Sequence, residues 1–237
     1  MKATKTLKWT RSTIGCVLLG LVAVPPGNAL ADDERKAVPP GESVLGMSQG
    51  DWGAAWWQWI LSIPAETNPL FDDGTVSLCT AGQGDGPVFF LAGSWAGVVE
   101  RSCTVPAGQA LFFPLINTEC SSVEGGEGDP WFCATEAECR QCAGRNANGF
   151  DPASLVVIVD GKRLDDLDQY RQQSAAYTFT LPEDDILGED ETAGISVSDG
   201  YWVMLKPLSP GEHTIYFYGA PLDAGWWQEV TYTITVE

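Results

Sequence analysis

SQGDWGAAWWQWILSIP, residues 48–64, holds four of the chain's ten tryptophans and predicts one short helix. Ser48 is a good N-cap, and Asp51 three residues on completes a capping-box pair at the positive end of the helix dipole. Pro64 closes the segment, because the residue before a proline is pushed out of the α region. At about 100° per residue, Trp52, Trp56, Trp59, Ile60 and Ile63 share one face, with Trp57 and Leu61 opposite. The polar stripe of Asp51, Gln58 and Ser62 is narrow. A helix so apolar should be covered on most sides, plugging a sheet or joining two layers. Buried indoles are therefore expected, rather than an open aromatic platform for a ligand. Gly53 costs about 1 kcal/mol relative to alanine inside a helix, which a close backbone approach would explain.

Outward from the helix, the chain reads as strands. VFFLA (88–92) and Val98 to Val105 flank Gly93–Gly97, which predicts a hairpin. ALFFPLI (110–116) carries Pro114, a sign of an edge or a bulge. LVVIV (155–159) is continuously apolar, as expected of a central strand covered on both faces. A brief helix over Leu164–Ser174 and strands at Tyr177–Leu181, Tyr201–Leu205 and Glu212–Tyr218 follow. Val230–Val236 alternates cleanly, with Thr231, Thr233 and Thr235 on one side, as in a half-buried antiparallel strand. About eight short strands with turn signals between them predict a mostly β fold: an antiparallel β-sandwich, jelly-roll or immunoglobulin-like, with one Trp-rich N-terminal helix. Residues 119–149, rich in Gly, Glu and Cys, read as a disulfide-pinned excursion within a single domain spanning 44–237.

The N-terminus has the grammar of an export signal. Lys2, Lys5, Lys8 and Arg11 precede an apolar run, and Ala29-Leu30-Ala31 forms an A-x-A cleavage site before Asp32. Residues 1–31 are thus expected to be a signal peptide and 32–43 a flexible leader, placing the protein in the periplasm or outside the cell. No membrane span is expected in the mature chain. The whole chain has 13 basic and 32 acidic residues. Four bases and no acids lie in residues 1–31, so the mature chain carries 9 against 32, a net charge of −23. Such a surface repels nucleic acid and anionic membranes.

WWQWILSIP, the Asn68-Pro69 that follows, FLAG (90–93), RSCTVPAGQALFFPLIN (101–117) and DGYWVMLKPLSPGEHTI (199–215) resemble a family of uncharacterised exported bacterial proteins. The likeness runs from the helix to about Gly219. It implies export and a common fold, and no reaction.

Without Cys16, the cysteines are Cys79, Cys103, Cys120, Cys133, Cys139 and Cys142, an even set that predicts three disulfides in an exported chain. Cys79 and Cys103 bracket VFFLA and should pair, leaving the other four to pair among themselves. Cys139-Arg-Gln-Cys142 has redox or zinc spacing, but its setting favours a structural role. His213 is the only histidine. Sites with two or three histidine ligands are excluded, and a Ser-His-Asp site would have to use His213 itself. No metal or cofactor is expected; calcium on the acidic segments 124–129 and 183–191 is the one candidate.

Two functions remain. The first is a non-catalytic binding or envelope-associated domain, with a glycan or another envelope component as partner. Its candidates are Trp226 and Trp227, adjacent in a loop and suited to stacking on sugar rings or to capping the sandwich, with Trp95 and Trp131 behind them. Arg101 joins them, because alternation points it inward as an anion site or as a structural ion pair with Glu119 or Asp160. The second is a carboxylate-dependent hydrolase or lyase acting on extracellular polysaccharide. It needs two acids about 5 to 9.5 Å apart, and Glu100, Glu119, Glu212 and Asp160 sit in or beside strands.

Overall fold

The computed structural model describes residues 36–75, 77–95 and 97–237, all within one compact unit, so the predicted signal peptide lies outside the described residues. Helix α1, Gln49–Leu61, carries the expected capping box: Asp51 N donates to Ser48 Oγ at 3.1 Å, and Ser48 N donates to Asp51 Oδ2 at 3.2 Å. Its last turn is closed by Asn68, whose Nδ2 donates to the carbonyls of Ile60 (2.8 Å) and Ile63 (3.0 Å). Trp52, Trp56 and Trp59 are buried as expected, and each indole N–H finds a carbonyl, at Val44, Leu91 and Ala81 respectively. Close backbone approach occurs at Gly50 rather than Gly53. A Cβ on Gly50 would lie 2.5 Å from the Gln173 carbonyl oxygen, whereas Gly53 meets the Trp202 ring.

The strands are β1 Val88–Phe90, β2 Gly97–Val105, β3 Ala110–Ser121, β4 Val156–Val159, β5 Lys162–Arg163, β6 Arg171–Gln173, β7 Tyr177–Thr180, β8 Ala193–Leu205, β9 Gly211–Gly219 and β10 Gln228–Val236. They form two five-stranded sheets. The first has the order β1-β3-β8-β6, with β7 also on β8; the second runs β2-β10-β9-β4-β5. Side chains of both sheets share one core, including Phe113, Leu115 and Val203 from the first and Phe217, Tyr232 and Ile234 from the second. A second core lies on the other face of the first sheet, where α1 packs over Phe112, Trp202 and Met204.

Several expectations change. The strands are not all antiparallel: β1 pairs parallel with β3, and β2 pairs parallel with β10 along its whole length. The cause is the Gly93–Gly97 segment, which crosses from the first sheet to the second instead of turning a hairpin. Two crossings, before and after β2, bring β3 back beside β1 in the same direction. Pro114 does mark a bulge, between Pro114 and Ile116, in an interior strand. The apolar run at β4 buries one face only: Val157 and Val159 point into the core, while Val156 and Ile158 are half-buried on the outer side, where no helix packs among the described residues. The expected leader is already ordered at Lys36: Val38 N donates to Met204 O and Lys206 N to Lys36 O, both at 2.8 Å, and Ala37 and Val38 are buried.

The cysteine-rich excursion contains a helix that the sequence reading left out, α2, Glu136–Ala147, with its own capping box from Thr135 and Glu138. It packs on β8 and β3. The disulfides are Cys79–Cys103, as expected, with Cys120–Cys142 and Cys133–Cys139. Cys139 and Cys142 therefore bond to different partners, and the pair is not a redox couple. Three disulfides fit an oxidising compartment. Among the described residues no helix is long and apolar enough to cross a membrane.

Candidate functional site

The end of the second sheet, where β2 and β10 begin, carries exposed aromatic rings. Phe71, Trp95, Trp226 and Trp227 are 46%, 61%, 37% and 44% exposed, and the Phe71 and Trp95 rings lie 5.7 Å apart at 41°. The loops carrying Trp95 and Trp227 are laced together. Gly97 N donates to Trp227 O at 2.8 Å, and buried Gln228 accepts from Ser94 N at 2.9 Å through Oε1 while its Nε2 donates to Leu115 O. Gln228 thus holds both loops to the bulge of β3. Trp131 is exposed on a different loop, beside the end of β3. Phe71 is the member of the cluster that the sequence reading did not single out. Its Asn-Pro setting reads as a turn, and nothing local says that its ring meets Trp95.

Arg101 sits beneath this end and is nearly inaccessible. Its partners are neither Glu119 nor Asp160. Nε and Nη2 donate to Asp72 O at 3.0 and 2.8 Å, and Nη1 donates to Gly93 O at 2.7 Å and Tyr232 Oη at 3.0 Å. The Asp72 carboxylate is 3.9 Å away. The guanidinium therefore ties the crossing loop and the segment around Asp72 to the core. It touches a surface cavity of about 270 Å³, also lined by Asp72, Glu100, Ser102, Thr231 and Thr233.

Glu100, Glu119 and Glu212 are not brought together. Glu100 and Glu212 are exposed on the outer face of the second sheet, opposite Thr231 and Thr235 of β10. They stand four residues apart along the strands and two strands apart, roughly 13 Å by 10 Å, too far for the paired acids of glycoside hydrolysis. Glu119 lies in the first sheet, buried, accepting from Ser196 Oγ. Its close partner is Glu124, which also accepts from Ser121 Oγ at 3.1 Å. Burial raises both carboxyls, and the Glu119 charge pushes Glu124 further, to about 10. The bond between Glu119 and Glu124 requires a proton on one of the two, because two carboxylates have none to donate. Glu119 is buried and Glu124 partly buried.

His213 is packed, with a serine and an aspartate beside it. Nδ1 is 2.8 Å from Asp160 Oδ2, and Nε2 is 2.8 Å from Ser209 O and 3.4 Å from Ser209 Oγ. The arrangement differs from a nucleophilic triad in one decisive respect. Nε2 lies nearer the Ser209 carbonyl oxygen, at 2.8 Å, than the hydroxyl, at 3.4 Å, so the serine is not aligned on it as a nucleophile. Burial pushes the Asp160 carboxyl up, but bonds from Lys36, His213 and Thr214 N outweigh it and hold it at about 2. Among the described residues no group of three or more His, Cys, Asp or Glu is placed to hold a metal ion.

No protein-family model matches the sequence, and no curated protein does. Among solved structures, the chain is similar to the solution structure of amebosin at 12% identity, over 59% of this chain and 96% of that one. The TM-score is 0.22, below the level of a shared fold.

Proposed function

We propose that the protein is an exported, non-catalytic binding domain that takes a glycan on its aromatic end. The observation that carries this reading is the exposure of Phe71, Trp95, Trp226 and Trp227 on adjoining loops at one end of the second sheet. Flat aromatic faces suit the apolar faces of sugar rings, while side chains such as Asp223 suit hydroxyls. The export motif at residues 1–31, the three disulfides and the likeness to exported bacterial proteins support the location. The sandwich reads as immunoglobulin-like rather than jelly-roll. If β1, β3, β8 and β6 are taken as strands A, B, E and D, and β4, β9 and β10 as C, F and G, the first sheet order and the middle of the second follow, with β2 and β5 added at its edges and β1 parallel to β3 rather than antiparallel. For the hydrolase alternative, Glu100, Glu119 and Glu212 form no close accessible pair.

The test is binding of the purified protein to a glycan panel, with and without calcium. Trp226→Ala combined with Trp227→Ala should lose binding and keep the wild-type melting temperature, since exposed substitutions shift stability by about 0.5 kcal/mol or less. Binding that survives the double replacement, or no glycan bound at all, refutes the reading.

A further inference from the structure

Both helices pack on the first sheet, α1 over β8 and β7 and α2 over β8 and β3. The outer face of the second sheet carries no helix among the described residues, and its side chains fall into rows set by the register. Nearest the aromatic end, Val98, Glu229, Tyr218 and Val156 stand side by side; Glu100, Thr231, Tyr216 and Ile158 form the next row. Trp227 is in phase with Glu229 and Thr231, about 7 Å per step along the same side of the strand, so the aromatic end continues onto this face.

Along the β2–β10 seam the charges have one sign; Arg163, opposite Ile158 on the same face, stands on β5, four strands from Glu100. Outward positions of β2, β9 and β10 include Glu100, Glu229 and Glu212, and no Lys or Arg; Arg101 and His213 on those strands point inward and are buried. Glu229 is engaged by the Tyr216 hydroxyl at 3.3 Å. The Glu100 carboxylate is exposed, makes no hydrogen bond or ion pair among the described residues, and lines the 270 Å³ cavity with the hydroxyl side chains of Ser102, Thr231 and Thr233. The buried Arg101 guanidinium and Asp72 line the same cavity, with the Arg101 donors taken by Asp72 O, Gly93 O and Tyr232 Oη. A carboxylate without an ion pair, beside hydroxyls and one strand from exposed indoles, is complementary to an ammonium group carried on a sugar.

We infer that the glycan is a polysaccharide bearing free, protonated amino groups, bound across the aromatic end and along the β2–β10 seam, with Glu100 receiving an amine. This rests on the glycan reading above and adds the charge of the ligand to it. A uronic-acid polymer would meet repulsion from Glu100, Glu229 and a mature net charge of −23. The cavity is too small for a whole drug-sized ligand and suits one protruding substituent.

The test compares three probes by calorimetric titration: an oligomer of glucosamine at a pH where its amines are protonated, the same oligomer fully N-acetylated, and polygalacturonate. The glucosamine oligomer should bind best and weaken with added salt. Glu100→Gln should weaken it roughly three- to tenfold and leave the acetylated oligomer unaffected. Binding by the acetylated oligomer that equals or exceeds the free amine, or that falls equally with Glu100→Gln, overturns the charge assignment. The glycan reading survives that outcome if binding still requires Trp226 and Trp227. Preference for polygalacturonate also overturns the assignment, and a glycan panel with no Trp-dependent binder removes both.

Discussion

Replacing Glu124 by glutamine should stabilise the protein at neutral and alkaline pH, although the change deletes an acid from a hydrogen-bonded pair. Glu119 is buried at 4% exposure, and its carboxyl bonds to that of Glu124, which requires a proton on one of the two. Burial, the Glu119 charge and the shared bond put the Glu124 carboxyl at about 10. In the unfolded chain a glutamate titrates near about 4.3. A carboxyl raised on folding means that the native state binds the extra proton. Its contribution to stability is therefore complete below about pH 4 and declines as pH rises toward 10. At pH 8, holding that proton costs up to roughly 5 kcal/mol, from about 3.7 pH units at 1.36 kcal/mol each. Glutamine carries an N–H for the Glu119 carboxyl at every pH and keeps a carbonyl for Ser121 Oγ. Glu124→Gln should therefore gain about 1–5 kcal/mol at pH 8, or about 2–4 °C in melting temperature per kcal/mol for a domain of this size. The gain should vanish near pH 4. Thermal melts of both proteins at pH 4, 6 and 8 decide it. Equal stability at pH 8, or parallel pH profiles, would refute the shared proton.

Two further tests probe the helix and the opposite pH limb. Gly50→Ala should lower stability despite a helix-propensity gain of about 1 kcal/mol, because its Cβ would sit 2.5 Å from the Gln173 carbonyl, on backbone pinned by Ser174 N to Ser198 O. A Gly50→Ala protein that melts at or above the wild type would show that β6 yields to the helix. Asp160 runs contrary to Glu124: held at about 2 when folded, against about 3.9 unfolded, its contribution is present above pH 4 and lost as pH falls through 2. Asp160→Asn should flatten the acid limb of the stability profile between pH 4 and 2, and an unchanged limb would place the acid sensitivity elsewhere.

Elements whose side chains repeat with a clear period were legible before any coordinates. The capping box and indole face of α1 and the alternation of β10 lie where expected, because burial of one face imposes the pattern directly on the sequence. Helix α2 escaped because its buried face is made of Cys139, Cys142, Ala143 and Ala147, small residues interleaved with Gly144 and Arg145. Half-cystines do there what leucines do elsewhere. Its one local signal was the Thr135-x-x-Glu138 capping pair. The parallel pairings were invisible for another reason. Whether Gly93–Gly97 turns back or crosses between sheets is settled by Arg101 and Gln228, whose partners are 8 to 134 residues away. The same long-range contacts kept Phe71 and Glu124 out of the candidate list.

The distribution of tryptophan bears on the functional reading independently of any ligand. Trp52, Trp56, Trp57, Trp59 and Trp202 pack around α1 and the first sheet, where each ring meets others or a buried carbonyl. Trp95, Trp131, Trp226 and Trp227 stay exposed on loops. A large apolar side chain gains about 1.5–3 kcal/mol from burial, so open indoles forgo stability and invite self-association. The surface charge offsets the second cost: at a net charge of −19, two copies repel each other before their aromatic ends meet. The same field acts on any other partner, opposing anionic polymers and membranes and favouring cationic groups. Under the glycan reading proposed above, exposed indoles and an unpaired carboxylate such as Glu100 on one seam would take up sugar while the charge keeps copies of the chain and acidic polymers apart.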